Sequence, residues 1–128
     1  MTPPVIARWI EIIESGRTSE LQGLLAEDAV FSSPAIFTPQ EGRSTVMAYL
    51  SAAAKVFGET DFHYVEKWFG ERSAVLEFAA TIDGKYVNGI DMIHWNDAEQ
   101  ITSVKVMVRP LKGLQALMPK MAELLAQG

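Results

Sequence analysis

Apolar residues in the first half of the chain recur every three or four positions, which is the spacing of an amphipathic helix. This pattern predicts three helices: one over residues 5–13, a short one after Ser19 and one over residues 46–57. The same spacing returns after Pro110, in a C-terminal helix. Pro119 is expected to kink or break that helix, because proline removes a backbone donor and clashes with the preceding turn.

Between residues 60 and 109 the spacing of apolar residues changes, and this segment is typical of consecutive strands. Asp83-Gly84 is a strong signal for a two-residue hairpin between two of them. A brief strand over Ala29–Ser33 is expected earlier, ended by Pro34. The four consecutive strands are predicted at about 60–69, 73–82, 85–95 and 100–109. Helices first and a meander last predict an α+β fold, in which helices close a curved antiparallel sheet around an apolar pocket.

Side chains alternate between the two faces of a strand, so parity decides which residues face this pocket. On the last strand Val104, Val106 and Val108 share one side, which should face inward. The strand before it is ambiguous by hydrophobicity alone. If its Gly89 and Asp91 side faces inward, a carboxylate lies among branched apolar residues and Gly89 leaves space beside it.

Asp91 is the main candidate for chemistry. Burial disfavours the charged carboxylate and raises its pKa, and a raised pKa in a cleft marks a candidate acid or base. The structural alternative is that Asp91 faces solvent, or is buried and held by backbone donors without any role in a reaction.

Composition and charge narrow the classes of function. With 128 residues the chain is expected to be a single domain, 1–128. The net charge is −5 and the eleven lysines and arginines are scattered, which disfavours nucleic acid and acidic membranes as partners. Cysteine is absent, so thiolate catalysis is excluded. No basic leader or membrane-length apolar run is present, and a cytoplasmic location is the default expectation.

Several large residues are candidates for the pocket wall, although most of them are expected to be plain core. Tyr49 is the most informative, because a buried hydroxyl needs a hydrogen-bond partner. The predicted binding residues are Trp9, Phe31, Phe37, Tyr49, Trp68 and Phe78, together with Gly89 and Val106 next to Asp91.

The two histidines give little support for a metal site, and neither a metal nor a cofactor is predicted. His63 begins a strand and is expected in solvent, whereas His94 and Glu77 are expected on the outer sheet face. The outer face of the last two strands is mixed polar and apolar, which suits a homodimer contact. Its residues are Ile90, Met92, His94, Lys105 and Met107.

The order of elements and a set of short motifs resemble the nuclear-transport-factor-2-like superfamily, in particular its SnoaL-like members. The motifs are Phe31-Ser32-Ser33-Pro34, Glu41-Gly42-Arg43, Gly89-Ile90-Asp91 and the last strand from Ile101 through Val106-Met107-Val108-Arg109-Pro110. The resemblance covers almost the whole chain. It implies a cone, in which a strongly curved sheet wraps around helices, and usually a dimer.

Relatives in that superfamily include ketosteroid isomerase, polyketide cyclases and limonene epoxide hydrolase. The resemblance places Asp91 where the epoxide hydrolases have a catalytic aspartate. By the same resemblance, the epoxide hydrolases have arginine at the position of Gly89 and a second aspartate at the position of Val106. This chain lacks both residues, so epoxide hydrolysis is disfavoured. Ketosteroid isomerisation needs a base carboxylate, a tyrosine and a protonated acid, and only Asp91 and Tyr49 suggest themselves.

Polyketide cyclisation is the least demanding fit, since it needs one acid or base in a shaped apolar cavity. The expected function is therefore proton transfer through Asp91 on a small, largely apolar ketone, polyketide or steroid-like molecule. The alternative is a ligand-binding or dimeric interaction module of the same fold, in which nothing reacts.

Overall fold

The computed structural model describes residues 1–127. Its helical segments follow the predicted order: α1 is Pro4–Ser15, a short 3₁₀ helix is Thr18–Gly23, α2 is Arg43–Gly58 and α3 is Leu111–Gln127. Gly16 ends α1 in the left-handed conformation, with φ of 75°, and its N–H bonds back to the Ile12 carbonyl. Glycine adopts this conformation without a steric penalty, which explains why α1 ends there.

Six strands form one sheet in the order β2-β1-β6-β5-β4-β3. Their bounds are Leu25–Ser32 for β1, Gln40–Glu41 for β2, His63–Phe69 for β3, Ser73–Ile82 for β4, Lys85–Trp95 for β5 and Ile101–Arg109 for β6. The last four strands pair antiparallel in chain order, which is the predicted meander. The α+β cone fold expected from the sequence is confirmed.

The N-terminal strand differs from its prediction. It begins at Leu25 instead of Ala29, and it pairs in parallel with β6 and antiparallel with the two-residue β2. Its register with β6 is irregular between Leu25 and Val30. This irregularity interrupts the alternation of apolar and polar residues, so the first half of the strand resembles the end of the preceding helical segment.

Of the kink or break predicted at Pro119, the break is wrong, because α3 continues through Pro119. Pro119 itself is exposed, whereas Leu117 and Met121 on either side are buried against α2 and the sheet. Tertiary packing of these neighbours offsets the hydrogen bond that proline removes. None of the helices in residues 1–127 has the length and apolar character that crossing a membrane requires.

The core consists of two clusters of buried residues. The first joins α1 to the middle of the sheet, through residues such as Trp9, Leu76 and Ile93. The second joins α2 and α3 to the last half of β4 and the start of β5, and includes Phe78 and Leu117. Tyr49, Tyr64 and Val106 pack against both clusters while staying only partly buried. The boundary between the two clusters is therefore where the interior is open.

Candidate active site

Asp91 lies on the inner face of β5, near the middle of the sheet. Its register partners are Leu76 on β4 and Val106 on β6, and both of these side chains also point inward. Only 9% of Asp91 is exposed. The inward parity of the valines on β6 therefore extends to β5, and it brings one carboxyl group into an apolar interior.

A cavity of about 490 Å³ opens between the concave face of the sheet and the three α-helices. Its wall is predominantly hydrocarbon and aromatic. Aromatic rings come from α1, β1, α2, β3 and β4, and α3 adds aliphatic and methionine side chains. Representative wall residues are Trp9, Phe31, Tyr49, Phe78, Met118 and Leu125. A cavity of this size and character suits a largely apolar small molecule.

Polar side chains form a short hydrogen-bonded chain at the sheet side of the cavity. The indole Nε1–H of Trp9 donates to the hydroxyl oxygen of Tyr64 over 3.0 Å. The Tyr64 hydroxyl in turn donates to Oδ2 of Asp91 over 3.3 Å. This Trp9–Tyr64–Asp91 relay joins α1, β3 and β5, so the packing of the two clusters fixes its geometry.

Burial raises the pKa of Asp91 to about 7, and the hydrogen bond from Tyr64 acts in the opposite direction. The bond is long for an O–H···O contact, which explains why it offsets only part of the effect of burial. Burial, reinforced by the charge of Asp91, raises the pKa of Tyr64 well above its ordinary value. Near pH 7, Asp91 can therefore accept or release a proton at similar cost, while Tyr64 keeps its own.

Five of the predicted binding residues line the same cavity as Asp91. They are Trp9, Phe31, Tyr49, Phe78 and Val106. The rings of Phe31 and Tyr49 stack with centroids 5.1 Å apart, and this contact holds Tyr49 on the wall. Their contact with a ligand stays a prediction.

Two other predicted wall residues lie outside the cavity. Phe37 is fully exposed in the loop before β2. Trp68 is 49% exposed and pairs with Val75 on the outer side of β4. The cause is a bulge between Tyr64 and Glu66, because one extra residue reverses the parity of every later side chain in β3. Without that bulge, Trp68 would share the inward face with Tyr64.

Gly89 was expected to leave open space beside Asp91, but a neighbour fills that space. A Cβ atom at Gly89 would lie 2.5 Å from Cζ of Phe78 and 2.5 Å from the carbonyl oxygen of Met107. Phe78 is the register partner of Gly89, so its ring crosses the glycine before it reaches the cavity. Gly89 therefore positions a wall residue and is not itself part of the wall.

Replacing Gly89 with alanine should destabilise the protein by about 1–3 kcal/mol, because the new methyl group must displace the Phe78 ring or the β6 backbone. Chemical denaturation of the two proteins measures the difference. Gly23→Ala is a matched control, since no atom lies within 4 Å of a Cβ built there. An equal effect of both substitutions would contradict the packing role of Gly89.

Tyr64 is the functional candidate that the sequence prediction missed. It shares parity with Phe62 in the predicted strand 60–69, and both residues line the cavity. Alternation within that strand, together with the need of a buried hydroxyl for a partner, was the available signal. The bulge one residue later obscured it, because the strand as a whole then shows no consistent inward face.

The remaining titratable candidates are Glu77, His94 and His63. Glu77 is on the outer side of β4, where it accepts a hydrogen bond from Asn88 over 3.0 Å. His94 is exposed on the outer side of β5. His63 is exposed at the rim of the cavity, with Nδ1 2.9 Å from the Asp61 carbonyl oxygen.

Comparison with known protein families decides the family. Residues 6–104 match the model of the SnoaL-like domain. The chain belongs to the SnoaL-like family. The matched segment of this SnoaL-like chain contains Trp9, Tyr64 and Asp91 but ends before α3. The curated proteins include no significant match.

Solved structures support the same assignment. A steroid delta-isomerase from Pseudomonas aeruginosa is 39% identical, with a TM-score of 0.91, over 96% of the SnoaL-like chain and 90% of its own. An uncharacterised protein with a cystatin-like fold from Silicibacter pomeroyi is 32% identical, with a TM-score of 0.87, over 94% and 84%. A putative SnoaL-like polyketide cyclase from Jannaschia sp. is 10% identical, with a TM-score of 0.73, over 91% and 96%, and shows the fold alone.

Proposed function

We propose that this SnoaL-like protein transfers protons on a small, largely apolar carbonyl compound, with Asp91 as the group that takes and returns the proton. The observation that carries the proposal is the position of Asp91: a buried carboxyl group with a pKa of about 7 on the wall of an apolar cavity. A carboxyl group at that pKa is suited to general acid and base chemistry near neutrality.

Asp91 alone can accept and return the proton that the reaction moves. The Asp91 carboxylate removes a proton from the carbon next to the carbonyl group, so a C–H bond breaks and an O–H bond forms. The electron pair moves into an enolate. Protonated Asp91 then returns the proton to the γ carbon in an isomerisation. In a simple exchange, protonated Asp91 first trades its proton for one from solvent water and returns that one to the original carbon, so the carbon acquires deuterium in D₂O. In a cyclisation, the enolate carbon instead attacks a second carbonyl group of the same molecule, and the alkoxide takes the proton.

Hydroxyl groups on the wall can stabilise the enolate oxygen. Tyr49 and Ser33 both line the cavity, and the Ser33 oxygen accepts a bond from the Ala35 N–H over 3.2 Å, which leaves the Ser33 proton available. Donors that are already in place when charge develops lower the barrier more than solvent does. The 39% identity to a steroid delta-isomerase supports a rigid ketone such as a steroid as the substrate class.

The arrangement differs from the two-acid requirement of ketosteroid isomerase. Asp91 and Tyr64 supply one carboxyl group and one tyrosine. The other carboxylate of the cavity wall is Glu14, which is exposed at the α1 end of the cavity. We therefore assign the proton transfer to Asp91, where the apolar surroundings raise the pKa.

Incubating the protein with apolar ketones in D₂O should test this function. We expect deuterium to enter the carbon next to the carbonyl group, and β,γ-unsaturated ketones to gain the ultraviolet absorbance of the conjugated product. The rate should rise with pH through a midpoint near 7, because the reaction starts from the ionised carboxylate. A rate that falls through pH 7 would contradict a role for Asp91 as the initial base.

A non-catalytic ligand-binding module is the second candidate, favoured by the mainly apolar wall and the small number of polar groups. Binding of the same ketones without deuterium uptake at any pH would favour it. A homodimer through the outer sheet face, where Met107 is 49% exposed, and a cytoplasmic location stay proposals in either case.

A further inference from the structure

We propose that Trp9 is a positioning residue, which aims the single hydroxyl proton of Tyr64 at Oδ2 of Asp91 and so leaves Oδ1 as the oxygen that exchanges a proton with the substrate. The chemical part of this inference rests on the proposed function, whereas the direction of the relay does not.

The direction of the relay follows from the donor and acceptor capacity of its members. An indole Nε1–H can only donate, so the Tyr64 oxygen must be the acceptor in its 3.0 Å contact with Trp9. A phenol has one proton, which remains available for the second contact. The Asp91 carboxylate can only accept, so that proton lies on the 3.3 Å line between Tyr64 and Oδ2. Turning the Tyr64 proton toward Trp9 would place two donors face to face, and it would leave the Tyr64 oxygen and the ionised Asp91 carboxylate as two acceptors.

The two carboxyl oxygens of Asp91 are therefore not equivalent. Oδ2 is occupied by Tyr64. No hydrogen bond from residues 1–127 reaches Oδ1, yet no fully buried side-chain polar atom of the described chain lacks a partner. Oδ1 is consequently open to the cavity, where a substrate can approach it. The relay thus selects one of two chemically identical oxygens.

Core packing alone does not require an indole nitrogen at position 9. It is 2% exposed, and the rest of its ring packs in the cluster of α1 and the sheet, where a phenylalanine would serve as core. Its N–H holds the Tyr64 oxygen and polarises the O–H bond, which strengthens the donation to Asp91. Loss of the indole N–H should therefore act on Asp91 without touching it.

A wild-type measurement tests the relay before any substitution. The chain has three tryptophans, so its NMR spectrum should show three indole N–H signals. The Trp9 signal should titrate with the same midpoint, near 7, as the ¹³C carboxyl signal of Asp91. The Trp95 signal should not, although Trp95 is also buried on β5. A Trp9 signal that does not titrate, or Trp9 and Trp95 signals that titrate equally, would overturn the relay.

Matched substitutions separate the two hydrogen bonds of the relay, Trp9 to Tyr64 and Tyr64 to Asp91. Tyr64→Phe should raise the pKa of Asp91 by about one pH unit, because the carboxylate loses a donor, and it should abolish the titration of Trp9. Tyr49→Phe, which removes a cavity hydroxyl outside the relay, should leave the pKa unchanged. Trp9→Phe should raise the pKa by less than Tyr64→Phe, and Trp95→Phe should not raise it.

The double variant decides whether Trp9 acts through Tyr64. If it does, Trp9→Phe combined with Tyr64→Phe should raise the pKa of Asp91 no further than Tyr64→Phe alone. Additive shifts, or no shift in Trp9→Phe, would overturn the positioning role. These titrations need no substrate, so they can fail while ketone turnover succeeds, or succeed in a protein that catalyses nothing.

Discussion

Replacing Asp91 with asparagine should lower the turnover of a ketone substrate by about 10²–10⁴-fold, the usual contribution of a general acid or base. Asparagine keeps the size of the side chain and can still accept a hydrogen bond from Tyr64 on its carbonyl oxygen. It cannot take a proton from carbon. Affinity for the ketone should change little, because the apolar wall supplies most of the contact area.

Separate measurement of turnover and binding makes this prediction decisive. Asp28→Asn is a matched control, since Asp28 is an exposed aspartate on β1. It should leave both quantities unchanged. Equal losses of turnover and affinity in Asp91→Asn would instead mean that Asp91 anchors a polar group of a ligand, which is the role expected in a binding module.

The folded protein should lose about 4 kcal/mol of stability between pH 4 and pH 8 because of Asp91 alone. In the folded state its carboxyl group keeps a proton until about pH 7, whereas the ordinary value is 3.8. Between these values the folded state binds more protons than the unfolded state, so the free energy of unfolding falls as pH rises. The contribution is fully present below pH 3.8 and is lost above about pH 7.

Asp91→Asn should remove this dependence. Other carboxylates titrate in the same range, and hydrogen bonds from Thr81 lower the pKa of Asp61, which acts in the opposite direction. Subtracting the unfolding free energies of the wild type and Asp91→Asn at each pH cancels these common contributions. The variant should gain on the wild type as pH rises from 4 to 7. A difference that does not vary with pH would mean that Asp91 is not desolvated.

The meander was predictable because local signals specify it, whereas the face of β5 that carries Asp91 was ambiguous until its pairing with β6 was known. Asp83-Gly84 sets the register of the β4–β5 hairpin, and both of these residues have positive φ in the structure. The valines of β6 then identify the inner face, and Asp91 lies directly opposite Val106. Hairpin register and parity depend on neighbouring residues, so a single sequence contains them.

The remaining features depend on contacts between distant parts of the chain. The bulge in β3 that turns Trp68 outward has no glycine or proline to mark it. The parallel pairing of β1 with β6 joins segments separated by most of the sequence. Likewise, the hydrogen bond between Trp9 and Tyr64 joins α1 to β3, which are far apart in the sequence. Tertiary packing decides each of these, and local propensity does not.

The last helix, α3, limits how far the ligand of a relative can be inferred for this chain. Leu117, Met118, Met121 and Leu125 of α3 complete the cavity, yet α3 lies beyond the segment that defines the family. Asp91 and the α3 part of the cavity wall therefore lie in different parts of the chain, one inside and one outside the matched segment. Unbranched methionine side chains adapt to ligands of different shape, so substitutions at Met118 or Met121 should change which molecules fit the cavity while leaving the surroundings of Asp91 in place.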